Sequence, residues 1–247
     1  MSLKYTKYIG IDISLTSTAV SIFSTNTKKY THLSFVKDYT KPTKWTKLML
    51  GYDNIHINGF FYKKCDDYST QELYKIDDYE NNMQVVINEI KKHITSTDRI
   101  LVRIEGYSYG SMANSVSLLD LVSVSSILRN KLRFDLKSDI QIMSPSSLKM
   151  ETSKLVYGYT EKGKKNVITS TRNNIGIAGG NFTKRELFQA INDYPCESEL
   201  SKFCKENYTE IYSLSKIFSP LNDVIDSYWL LKTLMNDEIF HIKNIIK

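Results

Sequence analysis

The chain of 247 residues has only three cysteines, Cys65, Cys196 and Cys204, and none forms a C-x-x-C pair. An odd, scattered set argues against a disulfide framework and against a thiolate zinc site, and it suits a reducing cytosol. The four histidines, His32, His56, His93 and His241, show no H-x-x-x-H spacing. Any metal site would have to be built from carboxylates, which suit hard ions such as Mg²⁺ or Mn²⁺. Four prolines and ten glycines exclude a collagen-like or Pro-rich chain. No run approaches the roughly 18 consecutive apolar residues of a membrane-spanning helix. The first residues, MSLKYTKYIGID, lack the apolar stretch and small-residue cleavage site of a signal peptide.

What is present is an ordinary globular composition, 41% hydrophobic and 24% charged. The net charge of +6 hides an uneven distribution. Residues 127–185 hold 12 Lys and Arg against 4 Asp and Glu, leaving the remainder slightly acidic. Such a cluster is either a solvated surface or a phosphate-binding one, since counterion release from a polyanion rewards clustered lysines and arginines.

Apolar alternation predicts strands at 7–14, 18–24 and 29–36, an antiparallel start. Residues 37–77 read as an irregular insertion with a further hairpin. Met83, Val86, Ile87, Ile90 and Ile94 share one face of a helix over 79–94. A strand at 99–105, a helix at 111–132 rich in small residues and a short strand at 139–143 follow. Helices are predicted at 146–156, 163–176, 183–192 and 197–206. Ser219-Pro220 reads as N-cap and first helical residue of the last helix. The order predicts one α/β domain over 1–247, with insertions at about 37–77 and 178–218.

Acids stand where core residues are expected. Asp12 lies inside YIGIDIS, Glu105 ends ILVRIE, and Asp223 and Asp226 share a face of the last helix. An acid in an apolar element is costly unless compensated. Each has an ordinary alternative: Asp12 capping its turn, Asp223 favouring the positive end of its helix. Taken together, four carboxylates can hold two divalent ions about 3.5–4 Å apart, an arrangement suited to phosphodiester hydrolysis.

The segments IGIDISLTSTAVSI (9–22), VRIEGYSYGS (102–111), SPSSLK (144–149), EKGKKNVI (161–168) and NDVIDSYWLL (222–231) resemble the RuvC-like Holliday junction resolvases. The likeness is to the phage and viral branch of the RNase H-like, retroviral-integrase superfamily, and it spans about two thirds of the chain. It implies an RNase H-like fold with a mixed five-stranded sheet flanked by helices. It also implies two Mg²⁺ (or Mn²⁺) ions on Asp12, Glu105, Asp223 and Asp226. Lys149 matches the family's P-x-x-x-K lysine, and Lys164 its K-x-x-V lysine, with Lys165 fitting nearly as well. Tyr107 and Tyr109 flank the family's aromatic position at the junction centre. DNA contacts are expected from these tyrosines and from Lys149, Lys154, Lys162, Lys164, Lys165 and Arg172. Two departures stand out: Ser14 replaces the glycine of D-x-G, and the loop at 157–163 has few glycines.

The resemblance implies a crossover junction endodeoxyribonuclease, a homodimer cutting four-way DNA, acting in a cytoplasm, viral factory or organelle rather than at a membrane. Helix 111–128 would either pack the dimer or simply cover the sheet. A viral replication or packaging nuclease of the same superfamily would favour duplex or flap DNA. An actin-like ATPase or sugar kinase shares the strand–turn–strand start but needs a second glycine-rich phosphate loop, absent here. A non-catalytic DNA-binding module would have no need of all four acids.

Overall fold

The computed structural model describes residues 4–37, 39, 42–107, 115–157 and 182–245. The helix expected at 163–176 lies outside them. β1 (Lys7–Asp12), β2 (Ser17–Ser24) and β3 (Tyr30–Lys37) form the antiparallel start. Ser14 closes the turn between β1 and β2, its Oγ accepting from the N–H groups of Thr16 (3.2 Å) and Ser17 (3.1 Å). A serine side chain thus does the turn-closing work at the position where the family motif has glycine.

Residues 37–77 differ from the expected hairpin. They contain α1 (Lys44–Met49), capped by Thr43, and β4 (Ile55–Phe60), which pairs with β3 in parallel. A parallel pair needs a crossover, and α1 sits within it. α2 (Tyr68–Lys91) begins earlier than predicted, where the Asp67 carboxylate accepts from Thr70 N–H at 2.8 Å. Its first turns expose Tyr68, Leu73 and Ile76, so no buried stripe announced them. β5 (Ile100–Glu105), α3 (Ser115–Phe134), β6 (Asp139–Met143) and α4 (Pro145–Tyr157) follow closely as read. After them come α5 (Lys184–Asp193), α6 (Glu199–Glu206), α7 (Tyr208–Ser213) and α8 (Leu221–Ile245). α8 starts one residue later than predicted: Val224 N–H bonds Pro220 O, placing Pro220 rather than Ser219 at the cap.

The sheet runs β4-β3-β2-β1-β5-β6, with β5 and β6 parallel to β1. This is the mixed α/β, RNase H-like arrangement that the motifs implied, with β4 as a sixth strand on the edge. On one face Ile9, Ile11, Val20 and Val102 pack with Met83, Val86 and Ile87 of α2 and Val124 and Leu128 of α3. α3 therefore covers the sheet. On the other face α8 lies across β1 and β2, flanked by α4 and α5. Trp229 is fully buried there, its Nε1–H donating to Leu187 O at 3.0 Å.

Gly10 lets α8 come this close. A Cβ at Gly10 would collide with Ser227 O and stand 2.5 Å from Leu231 N. Beside it, Ser21 Oγ shares hydrogen bonds with Ser227 Oγ (2.8 Å) and His32 Nδ1 (2.9 Å). Burial, aided by the nearby His56, pushes the His32 imidazole down to about 3.

Gly10→Ala is expected to cost about 3 kcal/mol, because backbone on both sides must move; urea unfolding measures it. Buried neutral His32 must take up a proton as the chain unfolds in acid. Stability is therefore complete above the unfolded pKa near 6.5 and falls as pH drops towards 3. Between about pH 7 and pH 5 the wild type should lose about 2 kcal/mol more than His32→Gln.

Candidate active site

β1 and β5 are parallel and each ends in an acid, so Asp12 and Glu105 stand at the same edge of the sheet. The register pairs Ile11 with Ile104, bringing the next residues side by side. Alternation places Asp12 on the face of Gly10, under α8. The first two turns of α8 carry Asp223 and Asp226 to this edge. Crevices at the carboxyl ends of parallel strands are where open α/β sheets commonly bind ligands.

Asp12 is 5% exposed. Burial, the charge of Glu105, a hydrogen bond with Glu105 and the charge of Asp223 together hold its carboxyl well above the usual range. The Lys184 ammonium partly offsets them. Asp223 Oδ2 accepts from Ser17 Oγ (2.7 Å) and Ser219 Oγ (2.8 Å), which fixes the plane of its carboxylate. Asp226 is 1% exposed and forms an ion pair with Lys184. Among the described residues neither of its oxygens is otherwise engaged.

Sequence reading missed Lys184 as a site residue, along with Ser17 and Ser219. Lys184 is the first residue of α5, behind Thr183, whose side chain caps the helix in a reciprocal capping box with Glu186. A cation is disfavoured at that positive helix end, so the carboxylates must compensate it. The T-x-x-E pattern at 183–186 opening an amphipathic helix was the available signal.

The donor set is chemically suited to a hard divalent cation: four carboxylates, with like charges crowded on buried Asp12. As they stand, no three His, Cys, Asp or Glu side chains among the described residues converge closely enough to hold an ion. Asp12 interacts with both Glu105 and Asp223, while Asp226 is turned to Lys184. Lys184 supplies positive charge at this edge.

The other expected residues are placed as follows. Lys149 is half-buried on α4, which packs against α5 and α8. Lys154 pairs with Glu151 one turn back, at 2.6 Å. Tyr107, two residues beyond Glu105, carries the Arg129 guanidinium over its ring at 5.0 Å. Tyr109, Lys162, Lys164, Lys165 and Arg172 lie outside the described residues. Part of the basic segment is engaged internally: Lys131 with Glu80 and Gln84, and Arg185 with Tyr212. No helix among the described residues is long and apolar enough to cross a membrane.

No protein-family model matches the chain, and no curated protein matches it. Its structure is similar to that of the yeast mitochondrial Holliday junction resolvase Ydc2, with 13% identity and a TM-score of 0.45, covering 96% of this chain and 82% of that one. It is also similar to T. thermophilus RuvC in complex with a Holliday junction substrate, with 8% identity and a TM-score of 0.37, covering 94% and 96%. A second Thermus thermophilus RuvC structure gives 9% identity and a TM-score of 0.38, covering 93% and 95%. At such identities and scores these likenesses assign no activity.

Lys184→Gln leaves Asp226 buried without its ion pair. The expected loss is about 2 kcal/mol, below the usual 3–5 for a buried pair because the lysine side chain is 45% exposed. Millimolar Mg²⁺ should raise the Tm of this variant more than that of the wild type; thermal unfolding with and without the ion reads both effects.

Proposed function

We propose that the chain is a Mg²⁺- or Mn²⁺-dependent endodeoxyribonuclease that hydrolyses phosphodiester bonds in branched DNA, with the four-way junction as its preferred substrate. The supporting observation is the gathering of Asp12, Glu105 and Asp223 at one sheet edge, with Asp226 joined to them through Lys184. The sequence motifs around these acids point the same way.

Asp12, Glu105, Asp223 and Asp226 are the residues that would hold the metal. When bound, two such ions lower the pKa of an attacking water and stabilise charge on the phosphate oxygens. The protein does the rest by position. Ser17 and Ser219 orient Asp223 through its Oδ2. The close approach of α8 to β1 at Gly10 brings the helix that carries Asp223 and Asp226 to the strand that ends in Asp12. Lys184 presents an ammonium suited to a phosphate oxygen at the same edge. Lys149 and the lysines of 158–181 add positive charge for the DNA backbone. Symmetric cutting of a junction needs two such sites related by a two-fold axis, and a homodimer of single-domain protomers supplies them.

The test is cleavage of a labelled four-way junction beside linear duplex, flap and RNA–DNA hybrid, in Mg²⁺. The junction should be cut fastest, with paired incisions. Asp12→Asn, Glu105→Gln and Asp223→Asn should each slow cutting about 100-fold or more, since metal stabilisation is worth several kcal/mol. Asp12→Asn cutting at the wild-type rate would sink the assignment.

A further inference from the structure

A second feature lies away from the carboxylates, between α3 and the edge strand β6. A groove of about 560 Å³ there is lined by Ser126, Arg129, Asn130, Arg133, Ser138 and Ile142, among others. Ser126, Arg129, Asn130 and Arg133 follow one another at i, i+3, i+4 and i+7, so they share one face of α3. Neither arginine has an ion-pair partner among the described residues. The acid in the groove, Asp139, already accepts a hydrogen bond from Tyr5 O–H at 2.6 Å.

Arg129 is the telling residue. Its Nε and Nη2 are buried, and among the described residues they have no hydrogen-bond partner. The Tyr107 ring lies 5.0 Å from the guanidinium carbon and offers Nε–H and Nη2–H no oxygen to bond. Nε–H and Nη2–H form one edge of the guanidinium fork, the edge that grips two oxygens of a phosphate or carboxylate at once. Buried charged donors without an acceptor are costly, so this edge calls for an anion.

The position of the groove suggests which anion. Ile142 neighbours Met143, which pairs with Glu105, and Tyr107 under Arg129 lies two residues beyond Glu105. The groove therefore runs along the sheet edge from the end that carries the catalytic carboxylates.

We propose that this groove is a phosphate-binding site for the backbone of a DNA arm leaving the active site, with Arg129 as its bidentate donor and Arg133 as a second cation. The proposal rests on the nuclease reading for its ligand. Arg133, exposed and one helical turn beyond Arg129, lines the same groove.

The experiment measures binding without cleavage, by fluorescence anisotropy of a four-way junction and a linear duplex in EDTA over a range of salt. The proteins are the wild type, Arg133→Gln, Arg129→Gln/Arg133→Gln and the control Lys131→Gln, whose lysine already pairs with Glu80 and Gln84. The double variant should bind about tenfold more weakly, with a log–log salt slope shallower by about 2, and Arg133→Gln by about 1. Lys131→Gln should match the wild type. Arg133→Gln removes an exposed side chain and keeps the test valid if the double variant fails to fold. Arginine variants that are folded and bind with the wild-type affinity and slope would overturn the groove assignment while leaving the nuclease reading intact. A wild type that binds neither DNA would overturn the nuclease reading and the DNA ligand with it. Stabilisation by inorganic phosphate that only the arginine variants lose, with DNA affinity unchanged, would show a free-anion site and equally overturn the DNA assignment.

Discussion

The near-contact of two backbones at Gly10 is the constraint on which the rest of this structure depends. α8 can rest against β1 only because no side chain stands between them. That approach carries Asp223 and Asp226 to the strand end where Asp12 lies, two residues beyond the glycine. It also sets what can lie beneath the helix. Ser21, Ser227 and His32 form a buried polar row beside the glycine, and each has at least one hydrogen bond. His32 Nε2 alone in this row has no hydrogen-bond partner among the described residues, and the bonds that are made specify the seating of the helix more sharply than apolar contacts do.

The carboxylate edge is assembled against electrostatics. Parallel strands ending together bring Asp12 and Glu105 side by side, and burial denies Asp12 the screening that water would provide. The fold offsets this with hydroxyl donors on Asp223 and with Lys184 on Asp226. Lys184 reaches the site from α5, whose start is held by the Thr183–Glu186 capping box. A helix start that reads as local stabilisation in sequence thus aims a cation at the site.

The carboxylate cluster at the strand ends and the arginine groove along β6 adjoin through β5. Tyr107 links them: it follows Glu105 in the chain and its ring holds the Arg129 guanidinium. The excess positive charge of residues 127–185 is correspondingly divided. Lys131, Lys154 and Lys184 neutralise acids of the protein, whereas Arg129 and Arg133 are left facing a groove.

Sequence alone was enough to place five of the six strands and most of the described helices, and to mark the four acids as out of place in apolar elements. Apolar periodicity follows burial directly, and an acid within an apolar run is conspicuous because burying it is costly. It was silent where burial or sequence distance was the deciding factor. The exposed first turns of α2 have no apolar stripe to read. β4 joined the sheet in parallel because of a crossover partner, which no local pattern encodes. Ser17, Ser219 and Lys184 meet the acids from elements far away in the chain, and only the tertiary fold brings them within hydrogen-bonding or ion-pair reach. The same holds for Arg129: its charge is plain in the sequence, but its unmet N–H groups exist only once α3, β6 and Tyr107 have closed around it.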